Sequence, residues 1–284
     1  MALWQALVLG LIEGFTEFIP ISSTGHLTIA GRLMHLIDNQ NPESWTAFVA
    51  VLQLGTLAAL LTYFGRDIFG ISRSFVVANA ARVRGQTVQP DDRHKAFLGW
   101  LVILGSIPVA VVGLALRNVI EGEATKDLRI IAGAVIGMAL LLLIAERVAT
   151  RRRDMQSLKW SDAIIVGIAQ CISLIPGSSR SGTTITAGLF AGLTRDAAAR
   201  FSFLLCIPAI LASGLLQLPK ALNNVDIPVG TLLLAVVVAG VSGYFAIAFL
   251  LRFLQTRSTH LFIVYRLALG LTIIGLLLSG TVQN

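Results

Sequence analysis

The chain has 284 residues, 55% of them hydrophobic and only 13% charged, and its mean hydropathy is +0.80. That balance excludes an ordinary soluble domain, in which about a quarter of residues are charged, and assigns the chain to a bilayer. The net charge of +7 does not point to nucleic acid either, because the basic residues fall in alternate segments between apolar stretches.

A helix crossing roughly 30 Å of hydrocarbon needs about 20 apolar residues. The first two apolar stretches, Leu3 to Phe18 and Ile21 to Leu36, are too short or too polar for that, and the first carries Glu13 and Glu17. They are expected to form a re-entrant helix-loop-helix pair. The start has no positively charged n-region, which argues against a cleaved signal peptide. Three spans are predicted next, at Ser44 to Phe64, Ala96 to Leu116 and Leu128 to Ala145. A second short pair follows, Asp162 to Ile175 and Thr183 to Leu193, and then three more spans at Ala197 to Leu218, Val229 to Leu251 and Leu261 to Ser279. The predicted fold is therefore an all-α polytopic membrane protein with six transmembrane helices and two re-entrant pairs, in one integral-membrane domain. Non-helical backbone at membrane depth survives only where protein or water satisfies it, so such pairs usually line a site.

Between the first two spans, in a segment read as a loop, lie Arg66, Arg73, Arg82, Arg84, Arg93 and Lys95. Arg147, Arg151, Arg152, Arg153 and Lys159 follow the third span, and Arg195, Arg200, Arg252 and Arg257 complete the set. The opposite segments hold only Arg117, Lys126, Arg129 and Lys220, diluted by Glu121, Glu123 and Asp127. The positive-inside rule places the Arg-rich set in the cytoplasm and both termini outside. Cys171 and Cys206 stand in apolar segments without a CxxC or His-rich neighbourhood, and both are read as packing residues.

The run Phe18-Ile19-Pro20-Ile21-Ser22-Ser23-Thr24-Gly25 is echoed by Leu174-Ile175-Pro176-Gly177-Ser178-Ser179-Arg180-Ser181-Gly182. Phe48 to Gln53 and Phe203 to Pro208 follow the two loops at nearly equal offsets. The halves, about 1–150 and about 158–284, are expected to be a duplication. One short pair plus three spans is an odd number of crossings, so the second half enters inverted, and the two Pro-Ser-Ser loops are expected to meet near the midplane.

Glu13 and Glu17 are four residues apart, on one face of a helix aimed at the first loop. Ionisable groups at membrane depth mark ion, proton or substrate paths. Paired carboxylates can hold a divalent cation against phosphate oxygens, or one can act as a general base; solvated glutamates on an interfacial helix are the bland alternative. Ser22, Ser23 and Thr24 offer hydroxyls, Gly25 allows close backbone approach, and His26 can transfer a proton, with a carboxylate orienting its ring. The same hydroxyls also suit a helix cap. In the second loop Arg180 needs an anion: its fork can grip phosphate, assisted by Ser179, Ser181 and Thr184, or it can pair with Glu13 or Glu17. Weaker signals are Arg266, read as snorkelling to the cytoplasmic surface, Gln53, packing or lining the cavity, and the GxxxG spacings Gly133/Gly137 and Gly188/Gly192, read as close helix packing.

The stretch Glu13-Gly14-Phe15-Thr16-Glu17-Phe18-Ile19-Pro20-Ile21-Ser22-Ser23-Thr24-Gly25-His26, with Pro176-Gly177-Ser178-Ser179-Arg180-Ser181-Gly182, resembles the bacitracin-resistance type of undecaprenyl diphosphate phosphatase. Phe201 to Leu205 and the pair Tyr265-Arg266 extend the resemblance over essentially the whole chain. Ser178 stands where some members have an aromatic residue. The resemblance implies that Glu13, Glu17, Ser23, His26, Ser179 and Arg180 are active-site positions. It also implies Mg²⁺ or Ca²⁺ as cofactor, a homodimer in the bacterial inner membrane, and a polyprenyl diphosphate lipid converted to its monophosphate, which recycles the carrier for peptidoglycan synthesis. Combined with the residue chemistry, Ser23 is expected to be the nucleophile, assisted by Glu17 and His26. A transporter or flippase of phosphorylated polyprenyl lipids is the rival, since inverted repeats with broken helices are also a carrier plan.

Overall fold

The computed structural model describes residues 1–38, 40–223 and 227–282. Among them are twelve α-helices, two 3₁₀ turns and no strand. Six helices are long and apolar enough to cross a membrane: α3 (Pro42–Tyr63), α5 (Pro90–Ala115), α7 (Leu128–Val148), α10 (Arg195–Leu222), α11 (Val229–Thr256) and α12 (His260–Leu278). These are the six expected spans, and the chain is an all-α polytopic membrane protein. The remaining helices are α1 (Leu3–Phe18), α2 (Ser23–Leu33), α4 (Gly65–Val83), α6 (Arg117–Glu121), α8 (Trp160–Ile172) and α9 (Arg180–Phe190).

The starts are chemically marked. Pro42 opens α3 and Pro90 opens α5, where a missing N–H costs nothing and φ is already helical. Asp127 caps α7 by accepting from the Arg129 N–H at 2.7 Å, and Thr194 caps α10 by accepting from Ala197 at 3.2 Å. In the interior α3 packs on α10 and α11, α1 lies along α11, α8 along α5, and α7 along α12. Small residues set these distances: a Cβ at Gly55 would stand 2.1 Å from the Val236 carbonyl oxygen, and one at Gly167 2.4 Å from that of Gly105.

Both short pairs are hairpins. At 1.5 Å per residue the thirteen-residue α8 is only about 20 Å long. The chain entering α8 is tied to the chain leaving α9 by an Arg153–Leu193 bridge, so this hairpin begins and ends at the same end of the bundle. Arg153 also clamps Asp162 at 2.5 Å. At that end the buried Glu146 of α7 is gripped by Arg151 and Arg195 and by the Thr259 hydroxyl, joining α7, α10 and α12.

Two expectations are corrected here. The segment after the first span is not a loop: α4 folds back on the start of α5, with Phe75 against Trp100 and the Ser74 hydroxyl on Asp92 at 2.6 Å. Ile68, Ile71 and Phe75 recur at helical spacing, a stripe obscured by the arginines around it. Gly133 and Gly137 do not mediate close packing, since a Cβ at either would meet nothing within 4 Å; the α7–α12 contact instead needs Gly270, set against Ile136. Gly188 does sit tightly on Ala198, whereas Gly192 serves a left-handed turn at φ 84°. Gly55→Ala should accordingly lower stability by about 1–3 kcal/mol in thermal unfolding of the detergent-solubilised protein. Gly137→Ala should be neutral or stabilising by up to about 1 kcal/mol.

Candidate active site

The two Pro-Ser-Ser loops meet, and they are built alike. Ser22 caps α2 and its hydroxyl accepts from the Gly25 N–H at 3.2 Å; Ser179 caps α9 and accepts from Gly182 at 3.2 Å. Both caps hold left-handed backbone, with φ 77° at Ser22 and 68° at Ser179. A non-glycine residue there is strained by about 1–3 kcal/mol and persists only where its surroundings over-determine it. In this register Ser23 and Arg180 are equivalent, each the first residue of its helix.

What over-determines the loops is Arg266. It is fully buried and donates from Nε to the Val135 carbonyl at 3.1 Å, from Nη1 to Pro20 at 3.3 Å, and from Nη2 to Gly177 at 3.1 Å and Ser178 at 3.2 Å. The expectation that it snorkels is therefore wrong: its fork is directed inward, where the carbonyls of both loops lack other donors of comparable strength. Sequence reading had the signal, an arginine within an apolar span, and assigned it to the surface.

Ser23 Oγ donates to Glu17 Oε2 at 2.7 Å, and the other Glu17 oxygen lies 3.7 Å from Arg180 Nη1. Ser181 Oγ reaches the carbonyls of Glu17 at 3.2 Å and Ile19 at 3.3 Å, stitching α9 to the first loop. The pairing of Arg180 with Glu17, raised above as a structural alternative, is thus present, but it leaves capacity over. Both Glu13 oxygens, Glu17 Oε1 and Arg180 Nη1 are buried without a hydrogen-bond partner. Arg180, Thr24, Thr28 and Gln53 line a cavity of about 400 Å³, and Glu17 and Ser23 are buried next to Arg180.

Other hydroxyls are already engaged. Thr184 donates to the Arg180 carbonyl at 2.7 Å and pairs with Ser202 at 2.5 Å, so it holds the turn beneath Arg180. His26 is oriented by no carboxylate: Nδ1 is 2.7 Å from the Ser22 carbonyl and Nε2 2.7 Å from the Tyr265 hydroxyl, with the two rings stacked at 5.6 Å. Facing a carbonyl, Nδ1 carries the proton and Nε2 accepts from Tyr265. Tyr265 stood in the sequence only as part of the Tyr265-Arg266 pair; its contact with His26 was not legible there, because it lies in another span and adjoins His26 only in the folded bundle.

The fold and this site define a polytopic membrane protein with a buried charged cluster between two facing helix-start loops. Residues 6–272 match the family model described as bacitracin resistance protein BacA, and the chain belongs to that family. It is 52% identical over 273 residues to the undecaprenyl-diphosphatase of Syntrophobacter fumaroxidans, covering 95% of each chain. It is 43% identical to that of Prosthecochloris aestuarii over the full length of both, and 45% identical to that of Myxococcus xanthus over 99% of this chain and 91% of the relative.

Arg266→Lys places a point charge where four carbonyls need a planar fork. It should lower stability by about 2–4 kcal/mol, since buried acceptors left unpaired cost about 1–3 kcal/mol each. Thermal unfolding, read beside turnover of the fraction still folded, checks this; an unchanged melting profile would mean that the loops hold themselves.

Proposed function

We propose that the protein hydrolyses undecaprenyl diphosphate to undecaprenyl phosphate and inorganic phosphate, recycling the lipid carrier for peptidoglycan synthesis and conferring bacitracin resistance. The observation that carries this is the Ser23–Glu17–Arg180 constellation: a hydroxyl with its proton already directed at a carboxylate, beside a guanidinium with free capacity at a cavity floor. Arg180 grips the diphosphate, and the helix-start N–H groups of α2 and α9 add donors. Ser23 Oγ attacks the terminal phosphorus, its proton passes to Glu17, and the bridging P–O bond breaks to release the lipid monophosphate. Water then cleaves the phosphoserine. Glu17 returns the proton to Ser23 Oγ as that P–O bond breaks, and His26, held by Tyr265 and the Ser22 carbonyl, is a positioning residue for the start of α2.

Glu13 and Glu17 fit a hard divalent cation, because three of their four oxygens are buried without partners. Among the described residues no group of three or more His, Cys, Asp or Glu is placed to hold a metal ion, so Glu13 and Glu17 are the residues that would hold Mg²⁺ or Ca²⁺. The cation supplies charge neutralisation to the diphosphate.

We also infer that the halves are an inverted duplication. The exchange of packing, α1 on α11 and α8 on α5, supports it, as do the matched caps Ser22 and Ser179. On that reading the two hairpins are re-entrant from opposite faces. On the positive-inside reading, the arginine-rich ends and α4 are cytoplasmic, while both termini and the cavity's Arg117–Lys126 end are on the external face. The family resemblance implies a homodimer in the bacterial inner membrane, and crosslinking in native membranes tests it.

Phosphate release from polyprenyl diphosphate by the solubilised protein tests the assignment. Glu17→Gln should reduce kcat by about 10²-fold or more, and Arg180→Lys should lose most activity because a point charge lacks the fork. Chelation should abolish turnover and added Mg²⁺ or Ca²⁺ restore it. Folded wild-type protein inert under every metal condition would count for a transporter of phosphorylated lipids.

A further inference from the structure

The cavity is roofed. At the end of the bundle where α5 and α10 finish and α3 begins, α6 and the 3₁₀ turn Glu123–Lys126 cross it, and Ile120, Glu121, Thr125 and Lys126 line its upper end while Arg180 lines the other. The segment is sewn down on both sides. The Glu121 carboxylate accepts from Arg117 Nε at 2.7 Å and, across to α10, from Gln217 Nε2 at 2.6 Å and Lys220 Nζ at 2.7 Å. Lys220 continues to Glu43 of α3 at 2.7 Å. Lys126 is 3% exposed and uses all three of its donors, on Thr46 Oγ1 of α3 at 2.6 Å and on the Glu121 and Gly122 carbonyls at 2.8 Å each. Burial alone would raise the Glu121 carboxyl, but the hydrogen bonds from Arg117, Lys220 and Gln217 outweigh it and hold it down at about 2. Burial lowers the Lys126 ammonium to about 8. The tie through Glu121 is therefore ionised at any physiological pH.

Next to the roof the cavity lining reaches the apolar outer surface of the bundle. Leu114 of α5 and Leu216 of α10 both line it, yet are 64% and 50% exposed on the bundle's hydrocarbon-facing surface. On the phosphatase reading, an isoprenoid chain attached to the inner phosphate would run out along these leucines, where its hydration cost vanishes. A group attached to the terminal phosphate would then lie toward the roofed, polar end.

We propose that the Arg117–Lys126 segment is a specificity-determining roof: it admits a polyprenyl diphosphate with a free terminal phosphate and rejects lipid diphosphates whose terminal phosphate carries a sugar. The proposal rests on the phosphatase reading above. A sugar-bearing diphosphate has the same P–O–P bridge, and its hydrolysis by water would yield lipid phosphate and sugar phosphate, so the discrimination comes from space and not from bond chemistry. Glu121 and Lys126 act through the segment they hold and touch no reacting atom; they are positioning residues.

The test compares kcat/KM for polyprenyl diphosphate and for polyprenyl diphospho-N-acetylglucosamine in the solubilised wild type and in Glu121→Ala, Lys126→Met and the milder Gln217→Leu, which leaves three of the four bonds at Glu121 and Lys220 intact. Thermal unfolding establishes that each variant is folded. Wild type should favour the free diphosphate by about 100-fold or more, and the variants should narrow that ratio by about tenfold while keeping turnover of the free diphosphate within about threefold. An unchanged ratio in the folded variants, or a wild type that cleaves both substrates equally, overturns the roof. Wild type inert on the free diphosphate overturns the phosphatase reading, and the roof with it, so the two failures are distinct.

Discussion

The site depends on one buried cation. Arg266 lies within an apolar span, fully out of water, and satisfies its fork with backbone carbonyls from α7 and from both Pro-Ser-Ser loops. Desolvating a guanidinium is expensive, and the expense is met only if several good acceptors converge on it. That requirement works in both directions. The loops need a donor array because their carbonyls point away from any helix, and the arginine needs the loops because nothing else at that depth can solvate it. The left-handed caps at Ser22 and Ser179 become tolerable once the flanking carbonyls are pinned.

Pinning the loops from behind leaves their front faces free for chemistry. Ser23 and Arg180, equivalent in the two loops, bring a hydroxyl and a guanidinium to the same carboxylate, with Glu17 bonded to the first and 3.7 Å from the second. The carboxylates and the guanidinium partly neutralise one another, which makes their burial affordable, yet the orphaned oxygens of Glu13 and Glu17 keep the cluster unfinished. An incompletely satisfied polar cluster at the floor of a cavity stores affinity for a ligand able to complete it.

Around the site the bundle separates two environments by position along the helices. One end is locked by Glu146 with Arg151, Arg195 and Thr259, and by Arg153 with Asp162, and it carries most of the cationic residues. The other end is closed by the smaller network centred on Glu121 and Lys126, which spans α3 and α10 above the cavity. Between them the apolar lining around Leu114 and Leu216 opens toward hydrocarbon.

The sequence by itself determined the bilayer class, the six spans, the two short pairs and the motif residues, because hydropathy over about 20 residues and the cost of burying Glu13, Glu17 and Arg180 are local properties. It also contained the loop echo that brings Ser23 and Arg180 to equivalent positions. It could not tell which way a long polar side chain turns. Arg266 was read as reaching for water and reaches inward, α4 was read as a loop because its arginines masked its apolar stripe, and Gly133 and Gly137 had the spacing of a contact they do not make. The partners of His26 and the ties of Glu121 and Lys126 were equally illegible, since Tyr265, Gln217 and Thr46 lie tens to hundreds of residues away along the chain. Those contacts were decided only by tertiary structure, for the physical reason that a buried polar group must take whatever partner the packing of distant helices brings within about 3 Å.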